Sequence, residues 1–199
     1  MEQWTIKKTF EFDYGHRVHN QTLNQEYSID NRCVCRHLHG HRGVVEVSLT
    51  ANELKDDMVT DFKHLNWFKQ FIDDAVDHKM IMDKDDPLLR VIFPLWDQCS
   101  KLYRVRFVDQ FNSEGKKIGD EVMHDMLYIS VEKNELFEND PILWELYEGL
   151  VVVEFVPTSE NLSKWFFNIV KLRMEPLGVK VNSLIFKETP KSESNYSQV

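Results

Sequence analysis

Two histidines separated by one glycine, His39-Gly40-His41, run directly into a segment in which apolar and polar residues alternate. From Val44 to Thr50, Val45, Val47 and Leu49 face one way and Glu46, Ser48 and Thr50 the other, the period of a half-buried strand. If the strand has begun by His39, both imidazoles point to one face, because side chains alternate with period two. Gly40 removes bulk between them. A strand over Trp4 to Asp13, rich in β-branched and aromatic residues, is followed at once by His16. Antiparallel pairing of the two strands would bring His16 alongside. Three neutral imidazoles with an open fourth position is the ligand pattern of a catalytic zinc.

Other readings stay open on spacing alone. His-x-His also occurs on surfaces without a metal. Cys33-x-Cys35 with His37 is a rival thiolate site, but a closed site of that kind wants a second cysteine pair, and Cys99 alone cannot supply it. Asp77-His78 is either a carboxylate orienting an imidazole or a charged helix terminus. Glu188, after an apolar strand, is either a buried carboxylate facing a guanidine-like edge or a solvated strand end. Arg17, Arg36 and Arg42 make the histidine region locally basic, which suits an anionic substrate or merely solvates a surface.

The rest of the chain bounds the setting. Its 199 residues are enough for one substantial core, and a net charge of −9 argues against a non-specific nucleic-acid or anionic-membrane binder. No apolar run approaches the ~20 residues of a membrane span. The N-terminal residues lack the apolar core of a signal peptide, and three cysteines give no disulfide framework, so a reducing cytoplasm is expected. One helix is expected from Thr60 or Asp61 to Asp77-His78, with Phe62, Leu65, Phe68, Ile72, Ala75 and Val76 on its apolar face. A second is expected from a Thr158 or Ser159 cap, stopped by Pro176 and Gly178. A last strand runs from Val179 to Phe186. Between the helices, strands are expected at Tyr103 to Val108, Met126 to Val131 and Leu150 to Phe155, a turn at Asn112 to Gly115 and a short helix at Pro141 to Tyr147. Residues 190–199 are polar and serine-rich and are expected to fray.

Six motifs in order carry a resemblance: Phe12-x3-His16, Cys35-x3-His39-Gly40-His41, Met58 to Phe62, Asp77-His78, Pro157 to Asn161, and Lys187-Glu188-Thr189. Together they resemble the 6-pyruvoyl-tetrahydropterin synthase family, and within it the 6-carboxytetrahydropterin synthases, in which the cysteine likewise stands three residues before His-Gly-His. The resemblance implies an α+β tunnelling fold, with an antiparallel sheet, two helices on one face and an inserted segment. A single domain over 1–189 would carry the insertion at about 88–150, ahead of a flexible tail. It implies Zn2+ on His16, His39 and His41, a catalytic relay of Cys35, Asp77 and His78, and pterin contacts by Glu188, Glu160 and Thr158. It further implies trimers stacked into a homohexamer, with sites between subunits.

The implied activity is a zinc-dependent carbon–carbon lyase turning 7,8-dihydroneopterin triphosphate into 6-carboxy-5,6,7,8-tetrahydropterin, acetaldehyde and triphosphate, on the route to queuosine. The alternatives on the same scaffold are a pyruvoyl-type triphosphate elimination and a non-catalytic pterin-binding protein. After Asp77-His78 the family usually continues to a Leu-Asn pair; here Lys79-Met80-Ile81-Met82 follows.

Overall fold

The computed structural model describes residues 2–104, 127–131 and 133–198. Its strands are β1 (Trp4–His16), β2 (His39–Ala51), β3 (Lys79–Asp83), β4 (Ser100–Arg104), β5 (Leu127–Val131), β6 (Leu150–Val153), β7 (Lys180–Thr189) and β8 (Ser192–Tyr196). The helices are α1 (Asn66–Ala75), α2 (Leu89–Ile92), α3 (Trp96–Cys99), α4 (Pro141–Glu148) and α5 (Ser159–Met174). All eight strands join one sheet in the order β4-β5-β6-β3-β1-β2-β7-β8.

The long β1–β2 hairpin is the spine. It is antiparallel, with Tyr14 opposite His41 and His16 opposite His39. Phe10, Phe12 and Tyr14 of β1 and Val45, Val47 and Leu49 of β2 share one buried face. Against it lie α1, through Phe68, Ile72 and Ala75, and α5, through Leu162, Phe166, Ile169 and Val170. Two helices on one face of the sheet is the expected α+β arrangement. Asp61 does cap, accepting from the Lys63 N–H, but it starts a 3-10 turn at Phe62–Leu65 that leads into α1, and Phe62 is left exposed. Thr158 caps α5 by accepting from the Asn161 N–H at 3.3 Å, and Gly178 ends the segment in the left-handed conformation that glycine adopts freely.

The sheet is mixed, a correction to the antiparallel expectation. β3 runs parallel to β1, pairing His16 with Ile81, and β6 runs parallel to β3. Helix α1 is the crossover that returns the chain to lie beside β1 in the same direction. β3 and β6 are also buried on both faces. Ile81, Val151 and Val153 point into the main core. Met82, Leu150 and Val152 point the other way, into a second core with Leu89, Phe93, Trp96, Phe137 and Tyr147. The inserted segment therefore adds strands to the sheet edge and helices to its second face.

Helix α4 forms where expected, capped by Asp140 and begun by Pro141. The Asn112 to Gly115 turn, and the ends of the two strands expected beside it, lie outside the described residues. Residues 190–199, expected to fray, instead contain β8, which pairs antiparallel with β7 and sets Tyr196 against Phe167 at 5.1 Å between ring centroids. A ladder of backbone hydrogen bonds and one aromatic anchor suffice for this polar edge strand.

Candidate metal centre and its surroundings

The β1–β2 register puts three imidazoles on the helix-covered side of the sheet. Ring centroids are 4.5 Å apart for His16 and His39, 5.2 Å for His16 and His41, and 4.9 Å for His39 and His41. One ring nitrogen of each lies within 4.8 Å of those of the other two. His16 is fully buried. Its Nδ1 is 2.7 Å from the Pro157 carbonyl, and Nδ1 of His39 is 2.8 Å from the His37 carbonyl. A carbonyl only accepts, so each Nδ1 carries the proton and each Nε2 keeps its lone pair for a ligand. The Nε2 atoms of His16 and His41 are buried without a hydrogen bond. Burial pushes the His41 imidazole towards its neutral form, and the charges of His16 and His39 add to that against the pull of Glu188. Two buried Nε2 atoms without a hydrogen bond, converging with a third imidazole, fit a divalent metal with nitrogen preference.

Glu188 reaches the same place from the end of β7. Its Oε1 lies 3.2 Å from His16 Nε2 and 3.8 Å from His41 Nε2. The neighbouring His16 ring holds its carboxyl below the usual carboxylate range, against the opposing effect of burial, with His41 and His39 adding to the pull. Tyr14 packs between these groups, 5.1 Å from His16 and 6.0 Å from His41 between ring centroids. A Cβ on Gly43 would stand 3.1 Å from that ring, so the glycine makes room for it.

Asp77 and His78 lie between α1 and β3 and are tied to both neighbours: the Asp77 N–H donates to the Ile72 carbonyl of α1 at 2.8 Å, and the other contacts go to β1. Asp77 Oδ1 accepts from the Asp13 N–H at 2.9 Å, and the His78 N–H donates to the Asp13 carbonyl at 2.6 Å. Asp77 Oδ2 is 3.0 Å from His78 Nδ1. His78 has a φ of 58°, a left-handed backbone that costs a residue with a Cβ some energy. The result is an imidazole oriented by a carboxylate and open to solvent. A cleft of about 700 Å³ joins these regions, lined among others by His39, His41, His78 and Met80.

Cys35 sits half-buried in the 3-10 turn Val34–Arg36, two residues before the His37 carbonyl that orients His39. Its backbone is held by the chain just beyond His16 (see below). Thr158 is the α5 cap, and the adjacent Pro157 carbonyl orients His16. Glu160 is exposed in the first turn of α5, where its carboxylate accepts from the Ser159 hydroxyl at 3.3 Å. The local positive charge read from the arginines is largely neutralised. Arg17 is buried against Asp86 at 3.1 Å, and Arg42 contacts Asp13 through Nε and Nη2. Sequence reasoning missed those partners, the two orienting carbonyls and Tyr14. Only Tyr14 had a signal, since it stands two residues before His16 and so shares its face.

The chain matches the family described as 6-pyruvoyl tetrahydropterin synthase over residues 5–198. A 6-carboxy-5,6,7,8-tetrahydropterin synthase of Aquifex aeolicus is 30% identical over 208 residues, covering 98% of this chain and 99% of that protein. One of Rickettsia conorii is 37% identical over 81 residues, 40% of this chain and 51% of that one. Among solved structures, an uncharacterized protein of Wolinella succinogenes superposes with a TM-score of 0.83 at 42% identity, over the whole of both chains. The 6-pyruvoyl tetrahydropterin synthase of Caenorhabditis elegans superposes with a TM-score of 0.51 at 20% identity, over 100% of this chain and 98% of that one, a likeness of fold. The tunnelling-type fold expected from the sequence is borne out.

Proposed function

The chain belongs to the 6-pyruvoyl tetrahydropterin synthase family, and from that premise we propose that it is a zinc-dependent 6-carboxytetrahydropterin synthase. The substrates are 7,8-dihydroneopterin triphosphate and one water, and the products are 6-carboxy-5,6,7,8-tetrahydropterin, acetaldehyde and triphosphate, the step that leads to queuosine. The observation that carries this reading is the convergence of three imidazoles, with Nε2 of His16 and His41 buried without a hydrogen bond and Nδ1 of His16 and His39 committed to carbonyls. The full-length likeness to the Aquifex carboxypterin synthase supports the choice of reaction within the family.

His16, His39 and His41 would hold the zinc. Zinc bound there supplies a Lewis acid that polarises hydroxyl oxygens of the substrate side chain. Glu188 accepts the pterin N–H groups as a two-oxygen acceptor, a role that its ionised form suits. Glu160 and Thr158 contribute from the start of α5. Cys35 removes a proton as the thiolate, which a nearby cation favours. His78, held by Asp77 and exposed at the cleft, exchanges a proton at the neighbouring carbon. The exposure of His78 and of Leu23, Tyr27, Ile29 and Leu38 in the β1–β2 loop supports a trimer-based homo-oligomer in which a second copy closes the site. No helix of the described residues is long and apolar enough to cross a membrane; a cytoplasmic location belongs to the same proposal.

The test is incubation of zinc-loaded protein with 7,8-dihydroneopterin triphosphate, with products identified by mass. Acetaldehyde and the carboxypterin are expected, with Cys35→Ala inactive yet retaining zinc. Triphosphate release without acetaldehyde would mean a pyruvoyl-type elimination. Tight binding with no turnover would mean a pterin-binding protein.

A further inference from the structure

The segment that carries Cys35 is tied to the root of the insertion through three consecutive residues. Directly after His16 of the candidate metal centre, Arg17 places its Nε 3.1 Å from Asp86 Oδ2, a buried charge contact without hydrogen-bond alignment. Side-chain exposure in that ion pair is 9% for Arg17 and 0% for Asp86. Two residues on, His19 Nε2 meets Asp83 Oδ2 at 3.0 Å, again largely enclosed. Between these anchors the Val18 N–H donates to the Cys35 carbonyl at 2.7 Å. The Cys35 N–H in turn donates to Gln21 Oε1 at 2.9 Å, and the Gln21 N–H to the Val18 carbonyl at 3.1 Å. Both backbone polar groups of Cys35 are thus bound to residues 18–21, which are held in turn by two carboxylates.

Those carboxylates stand where the insertion departs from β3. Asp83 closes β3 and pairs with Val153 of β6. Asp86 uses its two oxygens separately: Oδ1 accepts from the Leu88 N–H at 2.8 Å where α2 begins, and Oδ2 faces Arg17. One side chain therefore joins the first helix of the second core to the loop of the candidate base, Cys35. A buried charge pair is weak as a source of stability but strict in geometry, since either charge left alone is heavily penalised. We propose that Asp83 and Asp86 are positioning residues: through His19 and Arg17 they fix residues 17–21, and so set where the Cys35 thiol stands relative to the three imidazoles. This rests on the reading of Cys35 as catalytic. It gives the insertion a task, as the buttress of the catalytic loop.

Two variants test it. Asp86→Asn keeps an oxygen for the Leu88 N–H but turns the Arg17 contact unfavourable; His19→Phe keeps the ring and removes the nitrogen that meets Asp83. Asp140→Ala is the control, because it removes the α4 cap at Leu143 and weakens the insertion away from the clamp. Hydrogen exchange at the Val18 and Cys35 amides should accelerate about tenfold in Asp86→Asn and in His19→Phe. With 7,8-dihydroneopterin triphosphate, kcat should fall by about tenfold or more while KM stays within about twofold and zinc content is unchanged. Asp140→Ala should lower the melting temperature without either effect. If one clamp variant fails to fold, the other decides. Unchanged exchange at both amides in a folded variant, or the same changes in Asp140→Ala, overturns the proposal. The exchange measurement needs no substrate, so a failure of the lyase reading shows separately, as absence of acetaldehyde from the unsubstituted protein.

Discussion

Strand β3 has a carboxylate touching an imidazole at each end, and the two pairs are in opposite circumstances. Ahead of the strand, Asp77 and His78 meet at 3.0 Å with the imidazole 77% exposed. At its far end, Asp83 and His19 meet at the same distance with the imidazole 17% exposed, beside the buried Arg17–Asp86 pair. An open ring exchanges protons freely and gains little stability from its partner in high dielectric. An enclosed pair exchanges poorly but holds two segments in register. The comparison teaches that contact alone does not assign a role. Under the proposals made above, the near end of β3 is assigned to chemistry and the far end to geometry.

The strongest way to break this distinction is at the open end. His78→Asn keeps a residue that tolerates the left-handed backbone. It should lower kcat by about 10²–10⁴-fold, the range for a lost general acid or base. The melting temperature should stay within a few degrees, checked by calorimetry alongside the product assay. Near-normal turnover would remove chemistry from that end of the strand.

At the enclosed end the expected effect is on stability. Arg17→Met should cost about 3–5 kcal/mol, because Asp86 is left buried without its cation. The double variant Arg17→Met/Asp86→Leu should recover most of that, short of about 1 kcal/mol for the lost hydrogen bond from the Leu88 N–H to Asp86. Urea unfolding of the two single variants and the double closes the cycle. A loss in the double variant equal to the sum of the two single losses would mean that the two charges are not coupled.

Much of this end-to-end contrast was hidden in the sequence, although the residues of the candidate metal centre were not. Period-two alternation from Val44 to Thr50 sets the face of His39 and His41, and pairing with β1 brings in His16. Local patterning therefore reached the histidines. It did not reach β3, because Lys79-Met80-Ile81-Met82-Asp83 is buried on both faces and shows no alternation. Nor could it distinguish Arg17 from a surface arginine, since its partner Asp86 lies far along the chain and only the parallel β1–β3 pairing brings them together. β8 escaped notice because backbone hydrogen bonding, which no side-chain pattern reports, holds it to β7.

Thr158 sharpens the same question on a smaller scale. It was expected to touch the pterin, and its hydroxyl caps α5. Thr158→Ala should cost about 1 kcal/mol, and Thr158→Ser should restore it. A rise in KM that persists in the serine variant would assign the methyl group a contact with substrate. Stability and KM that both recover would assign Thr158 to the cap, and through the adjacent Pro157 carbonyl to the orientation of His16.

The smallest expected effect is the pH dependence of the open pair. Burial raises the Asp77 carboxyl, but the Asp13 N–H, the His78 hydrogen bond and the His78 charge outweigh it, so the group lies below its ordinary value when folded. A carboxyl depressed by folding contributes its full stability above the unfolded pKa of about 3.9 and loses it as pH falls through the folded value. Asp77→Asn keeps an oxygen for the Asp13 N–H and removes only the charge. The difference in melting temperature between the unsubstituted protein and Asp77→Asn should therefore be positive near pH 5 and shrink below about pH 4. Asp13, itself held low by Arg42, titrates in both proteins and largely cancels in the difference. A difference that stays constant through the acid range would show that Asp77 holds the α1–β3 junction by hydrogen bonding alone, and that its charge is available to orient His78 at no cost to the fold.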